Sequence, residues 1–464
     1  MKGINFDVVV VGAGVVGCAV ARRFVLEGAT VLLIEKGGDI LSGASKANSA
    51  ILHTGFDAPV NSDELACMQR GYREYQAIRE RLNLPILHTG AVVAAWDEDE
   101  FRRLPAIMAQ AKQNGVNDVE MLDRKQLLER EPQLAPHVLG GLLVPGEHVI
   151  DPWSAPLAYL RQAVDNGAVV MCDTELLSAV RQENCWLLTT NQGEFRAATA
   201  INCAGVWGDK VETLLLGQSR FTIKPRKGQF VVFDKVASRL LSTILLPVPS
   251  ERTKGIVLVR TIFGNLLVGP TAEEQDDRQH ATVEKETLEQ LIAKAVSLIP
   301  ALSDVPVTAV YAGLRPATER KEYRLYHDAE KGYLAAGGIR STGLTAALGL
   351  AAYLFDLYSD RPGKNLTPLA EPVCHPVPNL AEHLPRDWQQ PGNDEMVCHC
   401  ERVTRREIDA ALSGQLPARD LGGLKRRTRA CMGRCQGFYC SSRVAELSRE
   451  KWGDLLITGD VDEE

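Results

Sequence analysis

The first thirty-six residues constrain the fold more than any other part of the chain. The apolar run "FDVVVV" leads into the pattern G-x-G-x-x-G at Gly12, Gly14 and Gly17. A helical pattern follows, and a second apolar run ends at Glu35. A strand, a glycine turn, a helix and a second strand in this order predict the βαβ unit of a dinucleotide-binding fold.

Each glycine of this pattern has its own steric role. Gly12 permits the tight turn, Gly14 lets the backbone approach a pyrophosphate, and Gly17 lets the helix pack closely on the strand. The free N–H groups at the helix N-terminus suit the same pyrophosphate. Glu35 is spaced to accept hydrogen bonds from an adenosine ribose, and its charge disfavours a 2'-phosphate. The segment therefore predicts FAD or NAD.

Two later segments favour FAD. In "AATAINCAGVWGDKV" a strand runs into Cys203, Ala204 and Gly205, whose small size would let the backbone pass close to a nucleotide. In "GYLAAGGIRSTGLTAALGLAAYLFDLY" a strand and a Gly-Gly turn precede a long apolar helix that begins near residues 341 to 345. A second helix N-terminus there would stabilise the negative charge of a reduced flavin ring.

Composition excludes several classes of partner. The chain has 464 residues, of which 45% are hydrophobic and 24% charged, as in a globular protein of two or three domains. A formal net charge of -7 favours neither nucleic acid nor an anionic membrane. No apolar run reaches the ~18 residues that span a bilayer, and no signal peptide is recognised. We therefore expect a cytoplasmic protein that is at most peripheral to a membrane, with its eleven cysteines reduced.

Six motifs between residues 12 and 347 carry a family resemblance: "GAGVVG", "GASKANSAILHTGFD", "PRKGQF", "FGNLLVGPTAE", "AGLRPAT" and "GGIRSTGLTAA". With them the chain resembles the glycine and D-amino acid oxidase superfamily of FAD-dependent oxidoreductases, and most of all its glycerol-3-phosphate dehydrogenase branch. The resemblance implies an α/β fold over residues 1–360. A Rossmann-like FAD-binding domain (about 1–85, 150–220 and 325–360) would interleave with an antiparallel α+β substrate domain (about 86–149 and 221–324).

The nucleotide pattern and the resemblance together give a set of residues expected to contact FAD. They are Gly12, Ala13, Gly14, Val15, Val16, Gly17, Glu35, Lys36, Ser45, Asn48, Ser49, Cys203, Ala204, Gly205, Gly338, Arg340, Ser341, Thr342, Gly343, Leu344 and Thr345.

Two residues are expected to act on the substrate. The resemblance implies that His53 lies near the flavin ring, where an imidazole is a natural general base for a hydroxyl proton; a structural histidine is the alternative. Arginine binds phosphate or carboxylate through two donors, and the resemblance assigns Arg315 to the anionic end of the substrate, with Arg340 as a second candidate. Arg260 stands where relatives commonly carry proline, and in the substrate pocket it would change which anion is accepted.

The C-terminal part begins after a proline-rich segment. Residues 361–393 hold 7 of the 23 prolines and predict an extended, semi-rigid linker. The remaining residues, 394–464, form a domain small enough to need a metal. Its cysteines are Cys398, Cys400, Cys431, Cys435 and Cys440. Zinc and an iron–sulfur cluster are both open on this spacing, although C-x-C is unusual for zinc. Thr404 and Glu407 predict a capping box between the two cysteine groups.

The motif "CHC…RRTRACMGRCQGFYC" resembles the bacterioferritin-associated-ferredoxin type of 2Fe-2S domain, which also ends the catalytic subunit of anaerobic glycerol-3-phosphate dehydrogenase. By this resemblance the ligands are Cys398, Cys400, Cys435 and Cys440, and Cys431 stands where relatives carry glycine. Five cations flank the site and would favour the reduced cluster, form a solvated basic face or dock an acidic partner. They are Lys425, Arg426, Arg427, Arg429 and Arg434.

The expected function is oxidation of a small anionic hydroxy compound, either a polyol phosphate such as glycerol 3-phosphate or a 2-hydroxy acid. Hydride would pass to FAD, and electrons would leave singly through the 2Fe-2S cluster to an acceptor protein or a quinone-linked partner subunit. Two alternatives stay open. One is an amine or amino-acid dehydrogenase of the same superfamily, and the other is a flavin and iron–sulfur redox sensor or electron carrier.

Overall fold

The computed structural model describes residues 5–249, 255–360, 366–393 and 395–453. The strands are β1 (Asn5–Val11), β2 (Val31–Ile34), β3 (Ile51–Leu52), β4 (Ile86–Leu87), β5 (Ala91–Ala95), β6 (Glu120–Asp123), β7 (Gly140–Val144), β8 (His148–Ile150), β9 (Val169–Met171), β10 (Leu176–Gln182), β11 (Cys185–Thr190), β12 (Gly193–Asn202), β13 (Ile223–Phe233), β14 (Ile244–Pro247), β15 (Val257–Arg260), β16 (Leu266–Gly269), β17 (Glu273–Glu274), β18 (Val307–Thr318), β19 (Arg324–Asp328), β20 (Tyr333–Gly337), β21 (Met396–Cys398) and β22 (Val403–Thr404). The helices are α1 (Val15–Leu26), α2 (Asp63–Leu82), α3 (Glu98–Gln113), α4 (Arg124–Arg130), α5 (Ser154–Asp165), α6 (Gly208–Leu216), α7 (Lys285–Leu298), α8 (Gly343–Ser359), α9 (Arg405–Ser413), α10 (Leu421–Thr428) and α11 (Ser441–Trp452).

The first sheet contains the predicted βαβ unit. Its order is β10-β11-β12-β1-β2-β9, and β20 pairs with β12 and β19. The central pairings of β1 with β2 and β12 are parallel, as are those of β12 with β20 and β2 with β9. The four residues of β2 are all buried, which is typical of a parallel strand covered on both faces. The carboxyl ends of β1, β2, β12 and β20 meet at one edge, where nucleotides bind in such sheets.

The second sheet is mainly antiparallel, in the order β17-β13-β16-β15-β14-β5-β7-β6. Its longest pairing joins β13 to β18, from Ile223 opposite Thr318 to Phe233 opposite Val307. A third, small sheet has the strand order β3-β8-β4. The predicted fold class, a Rossmann-like domain interleaved with an antiparallel α+β domain, is confirmed.

A close helix crossing fixes the position of α8. A Cβ atom on Gly71 of α2 would lie 2.0 Å from the Thr345 carbonyl oxygen, and one on Gly349 of α8 would lie 2.0 Å from the Cys67 carbonyl oxygen. Both helices therefore need glycine at the crossing, because any side chain would push them apart. The contact holds the N-terminus of α8 at the edge of the first sheet.

The described part of the proline-rich segment, residues 366–393, contains one short helical turn (Asp387–Gln389) and packs along the first domain. The Leu369 N–H donates to the Leu26 carbonyl and the Val377 N–H to the Leu82 carbonyl, and Val377 and Leu380 are buried. The small domain that follows has α9 with the predicted capping box of Thr404 and Glu407. Within the described ranges, no helix has both the length and the apolar character needed to cross a bilayer.

Candidate functional site

A cavity of about 560 Å³ lies at the carboxyl edge of the first sheet and is closed by the second sheet. It is lined by most of the residues expected to contact FAD: Gly12, Gly14, Val15, Val16, Glu35, Lys36, Ser45, Asn48, Ser49, Cys203, Ala204, Gly205, Gly338, Arg340, Ser341, Gly343 and Leu344. The residues of that set outside the lining are Ala13, Gly17, Thr342 and Thr345.

The three glycines of the first turn differ in what surrounds them. Gly12 has a φ of +106°, and a Cβ there would lie 2.6 Å from the Cys203 carbonyl oxygen. A Cβ on Gly17 would lie 1.8 Å from the Gly12 carbonyl oxygen, so this glycine serves helix packing and does not line the cavity. A Cβ on Gly14 would meet only the Ser45 hydroxyl, at 3.3 Å. Gly14 therefore leaves its space to the cavity.

Two helix N-termini are open at this cavity. The N-cap residues of α1 and α8, Gly14 and Thr342, make no side-chain cap hydrogen bond. The Val15 N–H donates to the Ser45 hydroxyl at 3.0 Å. Glu35 accepts hydrogen bonds from the Ala13 N–H at 2.7 Å and the Gly37 N–H at 2.8 Å, which orient its carboxylate beside the cavity. These donors and this acid fit an FAD, with its pyrophosphate on α1 and its ribose on Glu35.

Arg315 lines the part of the cavity formed by the second sheet. Its Nε donates to the Arg226 carbonyl, and its Nη2 donates to the Lys227 and Thr271 carbonyls. In the described part of the chain, Nη1 makes no hydrogen bond. Burial, with smaller contributions from the charges of Arg226 and Arg340, lowers the pKa of Arg315 to about 10. A half-buried guanidinium that is held by carbonyls and lies near two other arginines suits an anion.

His53 does not line the cavity, but it contacts Thr345, the residue that follows Leu344 of the cavity wall. Its N–H donates to the Thr345 hydroxyl at 3.0 Å, at the first turn of α8. Its Nδ1 is 2.7 Å from a carboxylate oxygen of Glu147, which is fully buried. The other oxygen of Glu147 accepts from the Thr54 N–H at 2.6 Å and the Thr54 hydroxyl at 2.8 Å. The carboxylate therefore fixes the orientation of the imidazole.

No sequence pattern identifies Glu147 as a functional residue. It precedes β8 in "GEHVI", a segment with no motif, and it is 94 residues from His53. Only the pairing of β3 with β8, in which Leu52 lies opposite His148, brings the two together.

Arg260 is the residue that would change which anion is accepted if it lay in the substrate pocket. It does not line the cavity, and its charge acts on His383, so it is not an additional cation of this pocket.

The five C-terminal cysteines lie together in the small domain. Cys398 lies near Cys440 and Cys400 lies near Cys435, close enough for the two thiols of each pair to shift each other's pKa, and the Cys431 sulfur is 3.5 Å from that of Cys440. Among the described residues, no three potential ligands converge as they would around a single metal ion. Two pairs of thiols fit a two-iron cluster, whereas a zinc ion needs four ligands around one point.

The cations beside these cysteines contact the larger domain. Arg427 pairs with Asp39 at 2.9 Å and Arg434 pairs with Asp234 at 2.8 Å, while Arg426 donates to the Ile40 carbonyl at 2.9 Å. Arg429 is buried and pairs with Glu401 at 2.7 Å. For Arg426, Arg427 and Arg429 the interpretation as a solvated basic face is wrong, because their guanidinium groups have partners within the protein, whereas the Arg434 side chain is 67% exposed although it is paired.

Comparison with known proteins identifies both parts of the chain. Residues 7–357 match the family model "FAD dependent oxidoreductase", and residues 396–450 match "BFD-like 2Fe-2S binding domain". The chain is 30% identical to a glycerol 3-phosphate dehydrogenase of Caloramator mitchellensis, over 99% of this chain and 97% of the relative. It is 23% identical to one subunit of the anaerobic glycerol-3-phosphate dehydrogenase of Escherichia coli K12, over 95% of this chain and 87% of the relative.

The structure also resembles solved structures. One is the dithionite-reduced L-α-glycerophosphate oxidase of Mycoplasma pneumoniae with FAD bound, at a TM-score of 0.75 and 26% identity. The likeness covers 81% of this chain and 99% of the oxidase.

Proposed function

The chain belongs to the family of FAD dependent oxidoreductases and carries a BFD-like 2Fe-2S domain, and from that premise we propose that it oxidises glycerol 3-phosphate or a closely similar polyol phosphate. Its cofactors are FAD and a 2Fe-2S cluster. The relative that matches nearly the full length of the chain is named a glycerol 3-phosphate dehydrogenase. FAD, when bound, supplies the hydride acceptor.

The position of Arg315 in the cavity wall is the main support for this proposal. Its guanidinium lines the cavity, three protein carbonyls hold it, and the charges of Arg226 and Arg340 act on it. A phosphate of the substrate would accept hydrogen bonds from Nη1 of Arg315 and would offset the repulsion that Arg226 and Arg340 exert on this guanidinium. An uncharged alcohol would gain none of this binding, and it is therefore a poor substrate.

His53 is proposed to take the hydroxyl proton. With Nδ1 bound to Glu147, the imidazole keeps its Nε2 free to accept a proton. Glu147 is fully buried, so its charge stabilises the cation that forms on His53 when the proton arrives. The contact of His53 with Thr345 places this base beside the N-terminus of α8.

The electron acceptor is proposed to be a partner protein or a further, quinone-linked subunit. A relative that aligns with 95% of this chain at 23% identity is named as one subunit of an anaerobic dehydrogenase. This supports a multi-subunit assembly. Phe438 and Tyr439, between two of the proposed cluster ligands, are 81% and 79% exposed. Such exposed aromatic side chains are typical of interaction surfaces, and this pair lies where electrons would leave the cluster.

The test is an anaerobic screen in which loss of the visible absorption of FAD reports reduction by substrate. We expect rapid bleaching with glycerol 3-phosphate and slow or no bleaching with glycerol, 2-hydroxy acids, glycine or proline. An Arg315→Gln variant should need a much higher concentration of glycerol 3-phosphate for half-maximal bleaching rate. Bleaching by glycine or proline alone would make the protein an amine dehydrogenase. No bleaching by any of these compounds would favour a redox sensor or electron carrier.

A further inference from the structure

Two aromatic rings connect the cavity to the cluster-binding domain. Trp153 and Phe263 stack with their centroids 5.4 Å apart and their planes at 11°. The Trp153 indole N–H donates to the Lys46 carbonyl, and Lys46 lies between Ser45 and Ala47, which line the cavity. The Trp153 ring therefore contacts a residue, Lys46, that directly adjoins the cavity wall on both sides.

The other end of the contact is Arg429 of the small domain. Its guanidinium lies 4.0 Å from the centre of the Phe263 ring. Its Nε donates to Glu401 at 2.7 Å, and both side chains are almost fully buried. Glu401 directly follows Cys400 in the chain. The sequence of contacts thus runs from the cavity wall through Trp153, Phe263 and Arg429 to the loop of a proposed cluster ligand.

The backbone of Arg429 is also unusual. Arg429 has a φ of +69° and ends α10, where a glycine would be the ordinary choice. A left-handed conformation is strained for a residue with a long side chain. The side chain offsets this strain through a charge-assisted hydrogen bond and a desolvated cation–π contact. The contacts with Glu401 and Phe263 therefore set the position of the Arg429 side chain at this turn.

We propose that Arg429 is the positioning residue that holds the cluster loop against the Trp153–Phe263 stack, and that electrons cross from flavin to cluster through this contact. The inference rests on the proposed function, in which FAD is reduced by substrate. Each substrate oxidised yields two electrons, which leave the reduced flavin one at a time. Each reduces the cluster once and then passes to the external one-electron acceptor, while the protons are released to solvent.

The charge of Arg429 has a second consequence. A 2Fe-2S cluster gains one negative charge on reduction, so a nearby cation favours the reduced form and a nearby anion disfavours it. Arg429 and Glu401 carry opposite charges, pair at 2.7 Å and lie next to Cys400, which Glu401 directly follows. Removing one or the other should shift the cluster's reduction potential in opposite directions.

The experiment uses the holoprotein and follows both cofactors after mixing with glycerol 3-phosphate under anaerobic conditions. Flavin bleaching is measured by absorbance, and cluster reduction by freeze-quench electron paramagnetic resonance. The variants are Phe263→Leu, Arg429→Met and Glu401→Gln. The control is Arg419→Met, which removes an exposed ion pair to Asp173 across the same two domains. Cluster content is measured for each, and Arg429→Gln replaces Arg429→Met if the latter does not retain its cluster.

We expect all variants to bleach at the wild-type rate. Cluster reduction should slow by about tenfold in Phe263→Leu and Arg429→Met, because each loses a desolvated cation–π contact that holds the loop, and should be unchanged in Arg419→Met. Arg429→Met should lower the cluster's reduction potential, and Glu401→Gln should raise it. Wild-type rates of cluster reduction in both Phe263→Leu and Arg429→Met would overturn the inference alone. A wild-type cluster that stays oxidised while substrate bleaches the flavin would overturn the proposed electron flow, and the inference with it.

Discussion

Arg427 donates a hydrogen bond to each carboxylate oxygen of Asp39, both at 2.9 Å. The Asp39 side chain is 1% exposed and lies between Gly37 and Ser42, which line the cavity. A Cβ on Gly423 would lie 1.7 Å from an Asp39 oxygen, so α10 can approach only with glycine there. The small domain is therefore docked on the loop that follows β2, next to Gly37 and Ser42 of the cavity wall.

Breaking this pair should destabilise the docked arrangement. Asp39→Asn leaves the Arg427 guanidinium buried without its charge partner, which costs about 3 kcal/mol. We expect a lower urea midpoint for the holoprotein and faster proteolysis between the two domains. Asp173→Asn is the control, because it removes an exposed pair with Arg419 that is worth less than about 1 kcal/mol. Equal losses in the two variants would show that the Asp39 pair has no special role in docking.

The His53–Glu147 pair makes a prediction about rate. Glu147→Gln presents an amide N–H to Nδ1 or leaves it unpaired, so that the imidazole no longer has its Nε2 free as a base. We expect flavin reduction by glycerol 3-phosphate to slow by about 10² to 10⁴, the usual contribution of a general base. His53→Asn should slow it similarly.

The control for this prediction is the substrate concentration at half-maximal bleaching rate. It should stay near the wild-type value in both variants, because neither residue binds the phosphate. A Glu147→Gln variant that bleaches at the wild-type rate would make His53 a structural histidine, the alternative that the sequence left open.

The order of elements in the first sheet was predictable because its signals are local. The glycine turn, the apolar runs of β1 and β2 and the long helix α8 each lie within one segment, where periodicity and glycine spacing are visible. The capping box of α9 is local too, since Thr404 and Glu407 are three residues apart.

The contacts that complete the site were not predictable in this way. His53 meets Glu147 across 94 residues, and Arg427 meets Asp39 across 388. Neither acid belongs to a motif, and a run of cations such as "LKRRTR" has the same composition whether it faces water or another domain. Only the tertiary structure brings such opposite charges together, so one sequence without its fold does not identify the partner.

A pH dependence follows from Asp209, whose carboxylate accepts from both Arg278 guanidinium nitrogens, one at 2.8 Å. Burial alone would raise the pKa of Asp209, but hydrogen bonds from Arg278 and the Ile223 N–H outweigh it and the pKa is lowered. A lowered folded-state pKa means that the pair's stabilisation is fully present above the unfolded value of about 3.9 and is lost as the pH falls through the folded value.

Asp209→Asn should therefore have a lower urea midpoint than the wild type at pH 7, and the difference should shrink as the pH falls below about 4. Because Arg278 lines the cavity, the variant should also release FAD more readily at neutral pH, measured by the rise in flavin fluorescence. Arg278→Met removes the same pair from the other side and should show the same trend. A stability difference that grows toward acid pH would contradict the assignment.

Cys431 and Cys440 give the last prediction, because their sulfurs are only 3.5 Å apart and only one is a proposed cluster ligand. Cys431 has a φ of +62°, the left-handed region that favours glycine, and Cys440 starts α11. The resemblance implies glycine at position 431, and this conformation suits a glycine there. Cys431→Gly should relieve the backbone strain and retain the absorption and paramagnetic resonance spectra of the 2Fe-2S cluster, with equal or greater thermal stability. Cys440→Ser should lose both spectra, since the neighbouring Cys431 thiol is held by a different turn. Loss of the cluster in Cys431→Gly with retention in Cys440→Ser would move the second ligand pair to Cys431 and Cys435.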